Sequence, residues 1–147
     1  MKRLAISLFC GLAITNVFAA SMYKPQDIQW TPGPDSLPKG AQIAVLEGNP
    51  KEAGPFTIRL KFPANYRIPA HFHPAIEHVT VLSGELYLGM GDKLDEKQAK
   101  ALPVGGFAYM PPQMHHYAFT HKPVEIQLHG DGPWGITYLN PADDPRK

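Results

Sequence analysis

The chain has 147 residues, with 16 prolines, 13 glycines and one cysteine; domains run to about 100–200 residues, so this length supports one compact domain with a real core and excludes a multidomain machine. Prolines spread along the chain would break helix after helix, which excludes a helical bundle and favours strands and turns. The 14 Lys plus Arg against 13 Asp plus Glu, a formal net of +1 with no basic stripe, argue against a nucleic-acid partner.

Lys2 and Arg3 precede an apolar run over residues 4–18, and Val17, Phe18 and Ala19 offer small or tolerated residues at the positions a signal peptidase reads. Residues 1–19 are read as a signal peptide cleaved after Ala19, which makes the mature protein periplasmic or secreted. The run is shorter than the ~20 residues a spanning helix needs, and no second such run follows, so no membrane span is expected in the mature chain. Leu8 and Phe9 do not provide the small residue that a lipoprotein signal places before its cysteine. Loss of Lys2, Arg3 and Cys10 leaves 12 basic against 13 acidic residues, a net of −1, and no cysteine. Disulfides, cysteine nucleophiles and Cys-based zinc sites are thereby excluded, and any metal must be held by nitrogen and oxygen.

Residues 20–40 carry Pro25, Pro32, Pro34 and Pro38 with little periodicity and read as an extended arm. Trp30 is expected to pin this arm to the body of the domain, with strand exchange into a second subunit as the alternative. Residues 41–147 form the domain itself. Phe56, Ile58, Leu60 and Phe62 alternate with Thr57, Arg59 and Lys61, the period-two pattern of a half-buried antiparallel strand. Further strands are predicted at 42–46, 67–73, 78–82, 85–90, 107–110, 116–120, 124–129 and 136–139. Gly, Pro and Asn clusters punctuate them at short intervals, as in a sandwich or barrel. The exception is 92–101, DKLDEKQAKA, where helix formers and charge predict one or two helical turns at the surface.

Histidine is the residue that concentrates chemistry. His71 and His73 lie two apart on a predicted strand, so their side chains leave one face with Cα atoms about 6.5–7 Å apart, close enough for two imidazoles to meet one ion. Glu77 follows past Pro74, where a turn can bring a carboxylate back. His71 to Gly84 reads H-x-H-x3-E-x6-G, and Gly105 to His116 reads G-x5-P-x4-H. These two stretches resemble the two motifs of the cupin superfamily, and the likeness covers about residues 41–140.

The resemblance implies an all-β, single-domain fold: a cupin-type antiparallel β-barrel, also called a jelly roll or double-stranded β-helix. It implies one divalent transition metal (Fe, Mn, Cu, Ni or Zn) held by His71, His73, Glu77 and His116, with one or two positions open to water, substrate or dioxygen. The chain departs from the family pattern at Asn65, Gln113 and Thr120, where Gly, Gly and Asn are usual. None is a ligand position, and Asn tolerates a left-handed backbone better than other non-glycine residues. His115 competes with His116 as fourth ligand but would point to the opposite face of the same strand; the count from Gly105 and Pro111 favours His116.

The remaining groups read more plainly. His78 and His121 are expected to be solvated. Glu125, Gln127 and His129 share the strand face opposite Val124, Ile126 and Leu128; the apolar face is expected inward, and only a polar cavity would bring Gln127 and His129 near the ion. These three and Tyr109 are the candidates for a proton-transfer group. No Met has ligand spacing to the motif, and Gly130 to Gly135, GDGPWG, lacks the Lys-Ser/Thr and following helix of a phosphate loop, so it reads as a turn between strands. The favoured function is a metal-dependent enzyme acting on a small molecule, of oxygenase or oxidoreductase type. The alternatives are a non-catalytic periplasmic module that binds a small ligand or metal, and a redox-neutral isomerase or decarboxylase. A homodimer is possible through sheet edges.

Overall fold

A computed structural model describes residues 20–147. The signal peptide expected at 1–19, with Cys10, lies outside the described residues. The strands are β1 (Thr31–Pro32), β2 (Gln42–Glu47), β3 (Gly54–Phe62), β4 (Arg67–Phe72), β5 (Glu77–Ser83), β6 (Leu86–Met90), β7 (Lys100–Leu102), β8 (Phe107–Met110), β9 (His116–Phe119), β10 (Val124–Gly132) and β11 (Thr137–Tyr138). They form two antiparallel sheets, in the orders β1-β2-β3-β10-β5-β8 and β11-β4-β9-β6-β7. The sheets face each other as a jelly roll, with the core between them.

The alternation read in β3 places Phe56, Ile58, Leu60 and Phe62 in this core, where they meet Val79 and Val81 of β5 and Ile126 and Leu128 of β10. Burying each such aliphatic side chain contributes about 1.5–3 kcal/mol, so the register of sheet one is fixed by its inner face. Along β4 the alternation breaks. Ile68 pairs with Ala118 of β9, but His71 pairs with His116, so three steps on β4 match two on β9. The extra residue is a bulge next to Pro69, which has no N–H to give to a ladder. Ile68 and Ala70 point inward before it, and the change of phase turns His71 and His73 inward after it.

Three departures from the motif pattern are accommodated locally. Asn65 has φ 57° and Gln113 φ 65°, so both occupy the left-handed backbone that glycine usually supplies. Thr120 Oγ1 accepts a bond from Tyr66 N–H (3.0 Å) and donates to the Pro63 carbonyl (2.7 Å), tying the turn before β4 to the end of β9. At Gly84 the glycine is retained: φ is 73° and a Cβ would lie 2.3 Å from the Pro123 carbonyl oxygen.

Two expectations need correction. Residues 92–101 form no helix: the segment makes a single turn, with Asp95 Oδ1 accepting from Lys97 N–H (2.9 Å), and then enters β7. A short helix is marginal unless packing rewards it, and here the Asp95 carbonyl accepts both from Gln98 N–H (3.2 Å) within the turn and from Tyr117 O–H (2.8 Å), so the segment stops at one turn and covers the outer face of β9. His78, expected to be solvated, is half-buried in a stack with His129, Phe107 and Tyr109. Trp30 packs on the body as expected. It is half-buried beneath Lys61 Nζ, 3.9 Å from its ring centroid, while Ile28 and Leu37 are the arm residues in the core. Around Leu37 the arm is clasped by Tyr138 O–H donating to the Ser36 carbonyl (2.7 Å) and Tyr66 O–H donating to the Pro38 carbonyl.

Candidate metal centre

Three histidines converge between the sheets. His71 lies on β4, His73 one residue past its end, and His116 begins β9 directly opposite His71. All three are buried, and their ligand nitrogens lie within 4.8 Å of one another. Each ring is oriented from behind: Nδ1 of His71 bonds the Pro69 carbonyl (2.7 Å), that of His73 the Gly135 carbonyl (2.7 Å) and that of His116 the Met114 carbonyl (2.9 Å). A backbone carbonyl can only accept, so Nδ1 carries a proton and Nε2 is the nitrogen left to face an ion.

Glu77 reaches the same place from the opposite sheet, at the start of β5. Its Oε1 lies 3.3 Å from His73 Nε2 and its Oε2 lies 3.7 Å from His116 Nε2. Trp134 Nε1–H donates to Oε1 (3.1 Å). Burial opposes ionisation of Glu77, but the charges of His73 and His116 beside it outweigh this and hold the carboxyl well below the usual carboxylate range. For His73, burial favours the neutral ring, yet the Glu77 carboxylate prevails and raises its pKa. For His71 the Glu77 charge is too weak to prevail: burial first, then the charges of His116 and His73, push it down to about 3. A neutral imidazole and an ionised carboxylate are the forms that bind a divalent ion at neutral pH. Three imidazole nitrogens fit a first-row transition metal, with the Glu77 carboxylate beside them, and His-rich sets with fewer than six protein donors leave positions open.

Behind the histidines lies a cavity of about 40 Å³. Apart from the histidines, Glu77 and Trp134 its wall is aliphatic or aromatic, including Leu60, Ile68, Leu88 and Leu128, and Leu37 of the arm closes part of it. A cavity needs about 10–15 Å³ of such space to hold one water molecule, so this one accepts water or a diatomic gas as it stands.

The four proton-transfer candidates do not reach this cavity. Val124, Ile126 and Leu128 take the inner face of β10, so Glu125, Gln127 and His129 point outward. Glu125 pairs with Arg59 (3.3 Å), Gln127 accepts from Arg59 Nε (3.2 Å), and His129 stacks on His78 with centroids 4.7 Å apart. Tyr109 lies on the outer face of β8, more than half exposed, against the other side of His78. The physical reason is one of parity: an apolar cavity claims the apolar face of each strand. His115 also turns away, its Nδ1 bonding Asp92 at 2.7 Å, and His121 is exposed beside Tyr87. The site residues that sequence reasoning missed are Trp134 and Leu37. Both sit in segments without periodicity, where only an isolated large apolar side chain among Gly and Pro marks them.

Two facing antiparallel sheets with inward histidines at the motif positions define a cupin. Residues 19–134 match the ChrR cupin-like domain family, and the chain belongs to it. No curated protein matches the sequence. Among solved structures, the polyketide cyclase RemF from Streptomyces resistomycificus is similar with TM-score 0.72 at 16% identity, over 87% of this chain and 91% of that one. A putative acetylacetone dioxygenase from Methylibium petroleiphilum is similar with TM-score 0.63 at 18% identity, over 90% of each chain. The Rhodobacter sphaeroides complex of SigE with the anti-sigma ChrR gives TM-score 0.55 at 16% identity, over 74% of this chain and 52% of that one. At these identities the likeness is one of fold.

Proposed function

We propose that the protein binds one divalent transition metal through His71, His73, His116 and Glu77 and uses it in an oxygenase or oxidoreductase reaction on a small, largely apolar molecule. The observation that carries this reading is the convergence of three imidazoles, each held at Nδ1 by a backbone carbonyl, on one point beside a buried carboxylate. A redox-active ion there would supply Lewis acidity and electron transfer to a chelating substrate. The chain's own part is to orient the donors, to keep bulk water out with Leu60, Ile68, Leu88 and Leu128, and to leave a pocket of dioxygen size beside the histidines. A substrate's head would be recognised at the ion and its body by apolar contact, since the cavity wall offers no other charged group.

A second reading is favoured by a specific observation. Glu125, Gln127, His129 and Tyr109 all face away from the cavity, so no uncommitted acid or base stands beside the donors, which suits a non-catalytic module that captures a metal or small ligand. The family match to the cupin-like domain of ChrR supports the same reading. A redox-neutral isomerase or decarboxylase would need the acid or base that the cavity lacks. Export after cleavage at Ala19, and pairing of two copies through sheet edges, belong to this proposal. Dioxygen uptake by the iron- or manganese-loaded protein with small chelating ketones and hydroxy compounds separates the two readings: uptake with turnover supports the enzyme, whereas tight binding of such a compound without turnover supports the module.

A further inference from the structure

The GDGPWG run of Gly130–Gly135 does more than join β10 to β11. Its Trp134 ring lies nearly parallel to His73, with centroids 5.7 Å apart and 20° between planes, and Phe56 packs on it at 6.5 Å. The indole N–H reaches Glu77 Oε1, and the carbonyl of the next residue, Gly135, holds His73 Nδ1. Neighbouring residues of one loop therefore touch two of the four metal-site residues. The loop itself is fixed in place. A Cβ at Gly132 would lie 2.0 Å from the Glu52 carbonyl oxygen and one at Gly130 2.6 Å from that of Ile76, so bare backbone is required at both, and Trp134 N–H donates to the Pro50 carbonyl (2.6 Å).

Glu77 is buried and has two oxygens to place. Oε1 accepts the indole N–H and lies 3.3 Å from His73 Nε2, while Oε2 faces His116 Nε2 at 3.7 Å. We propose that Trp134 is a positioning residue of the metal centre: its indole N–H, donated to Oε1, fixes the rotation of the Glu77 carboxylate that faces His73 and His116. This rests on the metal reading above. An indole donor suits the task because it donates one bond, accepts none and does not itself ligate, and partners that orient metal ligands are worth about 10–100-fold in affinity.

The test is a double-mutant cycle with Cu2+, the first-row divalent ion held most strongly by such donors, so that the site stays measurable without Glu77. Trp134→Phe keeps the ring against His73 and removes the N–H. It is expected to weaken Cu2+ binding about 10–100-fold in the wild-type background and to change the electron paramagnetic resonance spectrum; in the Glu77→Ala background it should change neither. Equal losses in both backgrounds, or no loss in either, would overturn the positioning role while leaving the metal reading intact. A wild-type chain that takes up no Cu2+ would remove both. Should Trp134→Phe fail to fold, NMR of the Zn2+-loaded wild-type chain gives the same answer: a Trp134 indole N–H protected from exchange and shifted by Glu77→Ala supports the role, and one that exchanges freely overturns it.

Discussion

His71 stands directly across the β4–β9 ladder from His116, with ring centroids 4.2 Å apart, although strict alternation from Ile68 would have pointed His71 at solvent. The bulge beside Pro69 is what makes the two rings meet. Replacing either histidine by alanine removes one of three converging nitrogens and should reduce metal stoichiometry to near zero. His115→Ala, altered on the outer face of the same strand, should retain full stoichiometry, as measured by elemental analysis after dialysis.

Leu37 links the arm to the cavity, because it is buried at 4% exposure and forms part of the cavity wall. Leu37→Ala is expected to cost about 2–5 kcal/mol by removing buried methyl groups and leaving a void. Tyr138→Phe, which releases only the hydroxyl bond to the Ser36 carbonyl, should cost about 1 kcal/mol. Urea denaturation of the two variants checks both values; a Leu37→Ala loss below that of Tyr138→Phe would contradict the burial argument.

The sequence carried the frame of the fold and the inward or outward turn of most site residues, and it failed where a long-range contact decides. Strand pattern and motif spacing placed nearly every strand, and the two motif positions filled by Asn65 and Gln113 both keep the left-handed backbone expected where glycine is usual. Inward placement of His71 and His73 depended on an extra residue in β4 that leaves no mark in composition. The outward turn of Gln127 and His129 follows from simple parity, which holds in β10 because that strand is regular against β3. Residues 92–101 were misread because local helix preference says nothing of the Tyr117 hydroxyl that takes up the Asp95 carbonyl. Trp134 escaped notice because its partner Glu77 is 57 residues away in the chain.

Gln113 holds φ at 65°, a conformation that costs a non-glycine residue about 1–2 kcal/mol. Gln113→Gly relieves this, offset in part by the greater freedom of glycine in the unfolded chain. A net gain of about 0.5–1 kcal/mol is expected, read as a higher midpoint in thermal or urea unfolding. Gln113→Ala, with no relief of φ, should show none of it.

Tyr138 sets an alkaline limit. Burial foremost, and then the Asp144 carboxylate against the opposing Arg146, push its phenol up to about 12 from an ordinary value of 10.0. Above the unfolded value the unfolded chain loses this proton while the folded chain keeps it. The stabilisation is therefore fully present below pH 10 and is lost as the pH rises through about 12. Denaturation midpoints measured across this range should fall more steeply for the wild type than for Tyr138→Phe. Parallel curves would show that the phenol does not contribute.

The most direct test of the metal centre is elemental analysis of the protein purified from the cells that make it, alongside His116→Ala prepared in the same way. One transition-metal ion per wild-type chain and none in His116→Ala is the expected result. A wild-type chain without metal, or a His116→Ala chain that keeps a full equivalent, would contradict it.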